Sequence, residues 1–186
     1  MLLVAYSYLN FFIYYLRAHM NLDGVKGVIF DLDGTLVESS LDFTIMRKTI
    51  GCPLDEDILT FVDAIDCERR KADAHNTILQ HELDDARNAK WLSIGQKMVE
   101  KAQEHNLPMA IVTRNCREAT AIKLANNNIP IDYVLTREDA PAKPDPTALL
   151  MVAKEWQLQP ADCLYVGDFI YDRQAAENAG MQWLMV

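Results

Sequence analysis

Two aspartates one residue apart follow a short apolar run near the start of the chain. Residues 27–30 read Gly-Val-Ile-Phe, and Asp31 and Asp33 come directly after them, before Gly34. A buried strand that ends in acids places them at the carboxyl end of a parallel sheet, where ligands bind. Two carboxylates this close repel each other unless a cation or a shared proton relieves the charge. The pair therefore predicts either a polar turn, where acids and glycine are common, or a charged catalytic site.

Further candidate residues stand at the ends of later apolar runs. Thr113 follows one predicted strand, Lys143 precedes a predicted helix, and Asp168 and Asp172 follow another strand. Four carboxylates gathered at two strand ends are unfavourable without a divalent cation, and oxygen ligands with open water positions suit Mg²⁺. A hydroxyl before a helix N-terminus binds phosphate oxygens, and a lysine offsets charge on a transferring phosphoryl group. Because aspartate is also a competent nucleophile toward phosphorus, the set predicts phosphoryl transfer with Mg²⁺.

Alternating strands and helices must bring these residues together. The alternation predicts an α/β fold with a parallel, doubly wound, five-stranded sheet and right-handed crossovers. Strands are predicted at residues 25–30, 109–112, 133–135, 163–166 and 183–186. Helices are predicted at residues 42–50, 55–65, 68–89 and 95–105, after Asn115 with Glu118 as its capping partner, after Asp145 with Pro146 as the first helical residue, and from about Asp172 to Gly180.

Four short motifs resemble those of the haloacid dehalogenase-like superfamily. They are Asp-Leu-Asp-Gly-Thr-Leu at 31–36, Thr113, Lys143-Pro144, and Gly-Asp-Phe-Ile-Tyr-Asp at 167–172. Within the superfamily the chain looks most similar to the phosphoglycolate-phosphatase-like branch, and the resemblance covers about residues 25–186. It implies a hydrolase core with a small helical cap inserted after the first strand, and Mg²⁺ as the cofactor.

The resemblance also implies a role for each matching residue. Asp31 would be the nucleophile and a metal ligand. Asp33 would protonate the leaving group, then activate the hydrolytic water, and bind the metal through its carbonyl. Since the true dehalogenases resemble a pattern without the second aspartate, Asp33 implies phosphoryl transfer. Asp168 and Asp172 would help to bind the metal, with Asp172 acting through water or by orienting Lys143. Lys143 would contact Asp31 and the phosphate. Thr113, Arg114 and Asn115 would bind the substrate.

An all-helical insertion at residues 37–93 is predicted to act as a cap. A helical block placed just after the acidic loop can close over the site and contact the leaving half of the substrate. The predicted domains are an extension at 1–24 outside the core, an α/β core of 25–36 and 94–186, and the cap. Arg47 is the candidate contact to an anionic leaving group. A solvated surface charge and a purely structural helical layer are the alternative interpretations.

Composition narrows the partners. The net charge of −9 argues against nucleic acid, which proteins usually bind through a basic patch. The four cysteines form no Cys-x-x-Cys pair, so reduced thiols and a cytoplasmic location are expected. Half of the residues are hydrophobic, which is enough for a proper core. A small phosphorylated metabolite is the expected partner, and the chain is expected to be a monomer or homodimer.

The first residues of the chain form an uncharged, aromatic-rich segment. Residues 1–16 are shorter than the roughly 20 residues needed to cross a bilayer, so a membrane span is not expected. Three interpretations stay open: an added packing helix, a membrane-surface anchor, or a translated upstream segment with the natural start at Met20.

Three other functions compete with a metabolite phosphatase such as a phosphoglycolate phosphatase. A phosphomutase of the β-phosphoglucomutase type would use the same core and differ in the lifetime of the aspartyl-phosphate. A phospho-acceptor signalling module also combines acids, a hydroxyl residue and a lysine on a doubly wound sheet, but its accepting aspartate follows the third strand. A non-catalytic interaction protein with this fold is the last alternative.

Overall fold

The structure is a computed structural model that describes residues 21–186. The interpretations of residues 1–16 therefore fall outside the described part of the chain. Between residues 21 and 186, none of the helices combines the length and apolar character that a bilayer span requires.

The centre of the fold is one parallel sheet, with strands β1 (Gly27–Phe30), β2 (Met109–Val112), β3 (Tyr133–Leu135), β4 (Cys163–Gly167) and β5 (Gln182–Met185). The spatial order is β3-β2-β1-β4-β5, and every neighbouring pair is parallel. The chain thus leaves β1 on one side and later returns to its other side. The carboxyl end of β1 is therefore the topological switch point, where such sheets bind ligands. The predicted fold class is confirmed.

Two helices cover each face of the sheet: α4 (Ser93–Glu104) and α5 (Arg117–Asn127) on one side, α6 (Thr147–Glu155) and α7 (Ile170–Ala179) on the other. Side chains of β1 alternate between these layers. Val28 and Phe30 pack toward α4 and α5, whereas Ile29 packs toward α6 and α7. All three are fully buried, because a central parallel strand has no solvent-facing side.

The helical segment, residues 37–92, contains α1 (Phe43–Ile50), α2 (Ile58–Asp63) and α3 (Glu68–Asn88). It has a small core of its own, which includes Met46, Val62 and Ile78. The helix predicted at 55–65 is shorter because Asp57 caps it, accepting a hydrogen bond from the amide of Thr60 at 3.0 Å. The α3 helix packs against α5 of the core.

The two ends of the helical segment lie side by side. The amide of Glu38 donates to the carbonyl of Lys90 at 2.8 Å, and the amide of Leu92 donates to the carbonyl of Leu36 at 2.8 Å. The segment is therefore joined to the core through a paired, two-stranded connection.

The predicted start of α5 is wrong by one residue. The N-cap is Cys116, whose sulfur accepts a hydrogen bond from the amide of Ala119 at 3.4 Å. Asn115 was expected to fill that place, but its side chain is used in the site described below.

The starts of three further helices also differ from the prediction, and α4 begins at Ser93 instead of residue 95. The α6 helix begins at Thr147 with Pro146 as its N-cap, one residue later than predicted, and Asp145 accepts from the Thr147 amide at 2.9 Å. The α7 helix begins at Ile170, two residues earlier than predicted. Asp172 is its third residue, and the carboxylate accepts a hydrogen bond from the N-cap amide.

Candidate active site

A cavity of about 500 Å³ opens between the carboxyl ends of β1, β2 and β4 and the helical segment. Because parallel strands end at the same edge, residues distant in sequence meet there. All the residues that were predicted from the sequence to form the site line this cavity: Asp31, Asp33, Arg47, Thr113, Arg114, Asn115, Lys143, Asp168 and Asp172.

Lys143 is the centre of a buried hydrogen-bond cluster. Its Nζ atom lies 2.5 Å from Oδ1 of Asp31, 2.6 Å from Oδ1 of Asp172 and 2.7 Å from the Tyr165 hydroxyl. Only 5% of Lys143 is exposed. Three acceptors match the three hydrogens of an ammonium group, so the lysine is held in one orientation beside Asp31.

The protonation of Asp31 is strongly shifted by this environment. Burial raises the pKa of Asp31 to about 7, against the attraction of Lys143, and the charges of Asp172 and Asp33 raise it further. For Lys143, burial lowers the pKa, but the charges of Asp31 and Asp172 outweigh it and the pKa rises. Lys143 therefore stays charged, and further positive charge next to Asp31 would lower the pKa of its carboxyl group back toward the ordinary value.

Three carboxylates form a group that fits a metal ion. One oxygen each of Asp31, Asp168 and Asp172 lies within 4.8 Å of the other two. Burial and the charge of Asp172 raise the pKa of Asp168 as well. An excess of clustered carboxylate oxygens is the donor set that hard divalent cations prefer.

Asp172 is already committed to protein contacts. Its Oδ1 accepts from Lys143 and from the Tyr165 hydroxyl at 3.1 Å. Its Oδ2 accepts from the amides of Asp168 at 3.2 Å and Phe169 at 2.9 Å. Of the two roles implied by the sequence motif, these contacts favour orienting Lys143.

Gly34 makes room for the acidic cluster. Its φ is +76°, in the left-handed region, and a Cβ atom there would lie 2.1 Å from Oδ2 of Asp168. Glycine at this position therefore allows the loop after β1 to approach the carboxylate after β4.

Asp33 is held at both of its oxygens. Lys123 Nζ lies 2.5 Å from Oδ1, and the Asn115 side-chain amide donates to Oδ2. Burial raises the pKa of Asp33 despite the opposing effects of Lys123 and Asn115. A carboxylic acid with a raised pKa suits a group that must give and take a proton.

Thr113 and Arg114 line the cavity from the end of β2. Thr113 Oγ1 accepts a hydrogen bond from the backbone amide of Asn115 at 3.2 Å. The Arg114 side chain pairs with Asp57 at 2.5 Å and stacks over the ring of Tyr171, 5.0 Å from its centroid. Arg114 thus connects the core to α2 of the helical segment.

Arg47 lines the cavity from α1. Its Nη1 atom donates to the carbonyls of Pro53 at 2.6 Å and Glu56 at 2.5 Å, and lies 3.2 Å from the sulfur of Cys52. The guanidinium therefore fastens the connection between α1 and α2 while it borders the cavity.

The sequence reasoning missed three residues of this site. Tyr165 lies within the apolar run of β4, so its sequence position indicated a core residue and not a polar contact in the site. Lys123 and Asp85 pair at 2.7 Å, although they belong to helices of different segments. A signal for Lys123 was available, since it follows Ala119 by one helical turn and so occupies a position on the buried face of α5.

Comparison with known proteins agrees with this geometry. The profile of the haloacid dehalogenase-like hydrolase family matches residues 40–186. An uncharacterized hydrolase of Saccharomyces cerevisiae is 32% identical over 175 residues, which cover 89% of this chain and 78% of the yeast protein. A phosphoglycolate phosphatase of Photorhabdus laumondii is 28% identical over 184 residues, covering 86% of this chain and 79% of its own length.

A solved structure is similar in fold. The crystal structure of a hydrolase from Pseudomonas syringae superposes with a TM-score of 0.72 at 21% identity, and the match covers 86% of this chain and 84% of that one. Both the family profile and the yeast relative span most of the chain. The protein therefore belongs to the haloacid dehalogenase-like hydrolase family.

Proposed function

We propose that this chain is a Mg²⁺-dependent phosphatase that hydrolyses a small phosphorylated metabolite through an aspartyl-phosphate on Asp31. The observation that supports this best is the position of Asp31 at the switch point of the sheet. There Oδ1 of Asp31 lies 2.5 Å from Nζ of Lys143. Asp33, two residues later in the chain, is held by a different lysine, Lys123. A nucleophile, a cation for the phosphoryl group and a proton donor are thus combined in one cavity.

In the first step an oxygen of Asp31 attacks phosphorus, and the bond from phosphorus to the leaving oxygen breaks. Asp33 gives its proton to that oxygen, so the product leaves as an alcohol. Lys143 and Thr113 bind the phosphoryl oxygens and offset the charge that develops on them.

In the second step a water molecule attacks the aspartyl-phosphate. Its proton passes to Asp33, the bond between phosphorus and Asp31 breaks, and inorganic phosphate is released. Asp33 recovers the proton that it gave away, so the enzyme returns to its starting state.

The acidic cluster fits a divalent cation, which Asp31 and Asp168 would bind through their side chains and Asp33 through its carbonyl. When bound, Mg²⁺ would supply positive charge that stabilises ionised Asp31 and the transferring phosphoryl group. Asp172 supports the site by holding Lys143.

We further propose that the helical segment acts as the cap that selects the substrate. Of the described residues of that segment, Arg47 is the one cation that lines the cavity. Exposed Phe43 and partly exposed Leu41 border the same space. This combination suits a small leaving group with an acidic end, and phosphoglycolate is the first such ester to test, as in the Photorhabdus relative.

The test is phosphate release from a panel of a few dozen phosphorylated metabolites, including phosphoglycolate, with Mg²⁺ present. We expect at least one ester to be hydrolysed, chelation to abolish the activity, and Mg²⁺ or Mn²⁺ to restore it. Calcium should inhibit, because its larger and looser coordination shell misplaces nucleophile and phosphorus.

Two outcomes would count against the proposal. Full activity in excess EDTA would exclude a requirement for a metal. A panel in which no ester is hydrolysed would exclude the phosphatase activity. Sugar bisphosphate that only primes the reaction, without being consumed, would identify a phosphomutase instead.

A further inference from the structure

A lysine that the proposed reaction does not use is completely buried next to the cavity. Lys123 lies on α5, and none of its side chain is exposed to solvent. An ammonium group is among the most costly groups to bury, so its partners indicate what it is there to hold.

The partners of Lys123 come from two different parts of the molecule. Its Nζ atom lies 2.5 Å from Oδ1 of Asp33 in the loop after β1, and 2.7 Å from Oδ2 of Asp85 near the end of α3. The lysine is thus a bridge between the acid of the cavity and the helical segment.

Asp85 in turn holds the start of the helical segment. Its Oδ1 accepts from the amide of Ser40 at 2.6 Å and from the Ser40 hydroxyl at 2.8 Å, and its Oδ2 lies 3.4 Å from the Ser39 hydroxyl. Only 4% of the Asp85 side chain is exposed. The chain of contacts from Asp33 through Lys123 therefore ends at the connection on which the segment would move.

The same helix also holds the other end of the helical segment. Asn127, one turn beyond Lys123, donates to the carbonyl of Ala89 at 3.0 Å and accepts from the amide of Trp91 at 2.7 Å. The α5 helix thus contacts both connections of the segment, and this fixes the place of Lys123 relative to them.

We propose that Lys123 is a positioning residue that aims the Asp33 carboxyl group at the leaving oxygen and couples its orientation to the closed helical segment through Asp85. This inference rests on the proposed phosphatase function. Asn115 holds the second oxygen of Asp33, so both oxygens are fixed when Lys123 is in place. Without Lys123, Oδ1 loses its ammonium partner and the carboxyl group turns about its last bond.

The expected signature is a change in how the rate depends on the leaving group. Breaking the bond to an alkyl oxygen requires the proton from Asp33, whereas 4-nitrophenolate leaves without one. The parameter kcat/KM includes only the steps up to transfer of the phosphoryl group to Asp31. It therefore isolates the step in which Asp33 acts as the acid.

The experiment compares wild type, Lys123→Met and Lys123→Arg with an alkyl phosphate and with 4-nitrophenyl phosphate in Mg²⁺. We expect Lys123→Met to lower kcat/KM for the alkyl ester at least 100-fold and for the aryl ester less than 10-fold. Lys123→Arg should recover part of the loss. With the aryl ester the Met variant should also release a burst of nitrophenolate, because Asp33 is needed again to activate water.

Leu124→Ala serves as the matched control, since Leu124 is the next residue of the same helix, packs against the hydrophobic core and has no polar side-chain atom that could hold Asp33. It should change both substrates by the same factor. An equal loss for both esters in Lys123→Met, with no burst, would reduce Lys123 to a structural ion pair and overturn the proposal.

Crystal structures of wild type and Lys123→Met test the positioning of Asp33 independently of any activity measurement. If wild type hydrolyses neither ester, the proposed function fails, but a carboxyl group of Asp33 that is turned away in Lys123→Met still supports the positioning role. An unchanged Asp33 refutes it. If Lys123→Met does not fold, the double variant Lys123→Met with Asp85→Asn removes the two opposite charges together and is measured in its place.

Discussion

We expect an unusual dependence of stability on pH for this protein when EDTA keeps divalent cations away. In most proteins folding stabilises the ionised form of carboxyl groups and lowers their pKa, so acidification lowers the free energy of unfolding. Here burial raises the pKa of Asp31 from 3.8 to about 7, and the shifts of Asp33 and Asp168 have the same direction. We therefore expect the protein in EDTA to become more stable as the pH falls from 8 to 5.

The sign and the size follow from proton binding. Between pH 4 and 7 the native state holds a proton on Asp31 that the unfolded chain has lost, so the free energy of unfolding decreases as the pH rises. For a group that titrates at 3.8 when unfolded and at about 7 when folded, acidification from pH 8 to 5 adds about 2.5 kcal/mol. In a domain of this size that is roughly 5–10 °C in Tm.

The assay is urea unfolding and thermal melting in EDTA at half-unit steps between pH 5 and 8. The lower limit matters because Asp57 and Asp85 have lowered pKa values, and their contribution to stability is lost only in more acidic solution. Asp31→Asn is the control, and it should remove the part of the gain that comes from Asp31. A stability in EDTA that is flat, or that falls on acidification, would refute the reasoning.

Three further predictions concern single side chains. Asp31→Asn should abolish turnover and leave the fold intact, because an amide is a poor nucleophile; activity on an aryl phosphate within about tenfold of wild type would exclude Asp31 as nucleophile. Arg47→Ala should lower kcat/KM more than tenfold, about 1.4 kcal/mol, for an ester with an acidic leaving group and hardly affect phenyl phosphate; equal losses would mean that Arg47 acts through the loop it fastens. Exposed Cys67 should react first with a thiol reagent, since burial raises the pKa of Cys116 and Cys163 to about 11; labelling of those two in the native protein at pH 8 would contradict this.

The core could be predicted because its signals are local. A buried parallel strand needs an uninterrupted apolar run, and a site at strand ends needs its polar residues just after such runs. Asp31, Thr113 and Asp168 satisfy both conditions, so the sequence pattern was enough to place them at one edge.

The polar contacts that organise the site could not be predicted in the same way. Lys123 is separated in sequence by 90 residues from Asp33, and the pair forms only because α5 crosses behind β1 and β2. The start of α5 was wrong for a related reason. Asn115 is a better capping residue than Cys116, but its side-chain amide stabilises the protein more by donating a hydrogen bond to the buried carboxylate of Asp33.

The paired connection of the helical segment gives the protein a modular construction. Because Leu36 and Leu92 are hydrogen-bonded neighbours, a short turn could replace everything between them without stretching the core. Closing a tight turn in place of such a long loop would lower the entropic cost of closure by about 2 kcal/mol. The difficulty lies elsewhere, since Lys123 would lose Asp85 and the apolar face of α5 would lose Leu83 and Ala86. A graft of a foreign cap onto this core must therefore supply a carboxylate and two apolar side chains for α5, besides fitting the two ends.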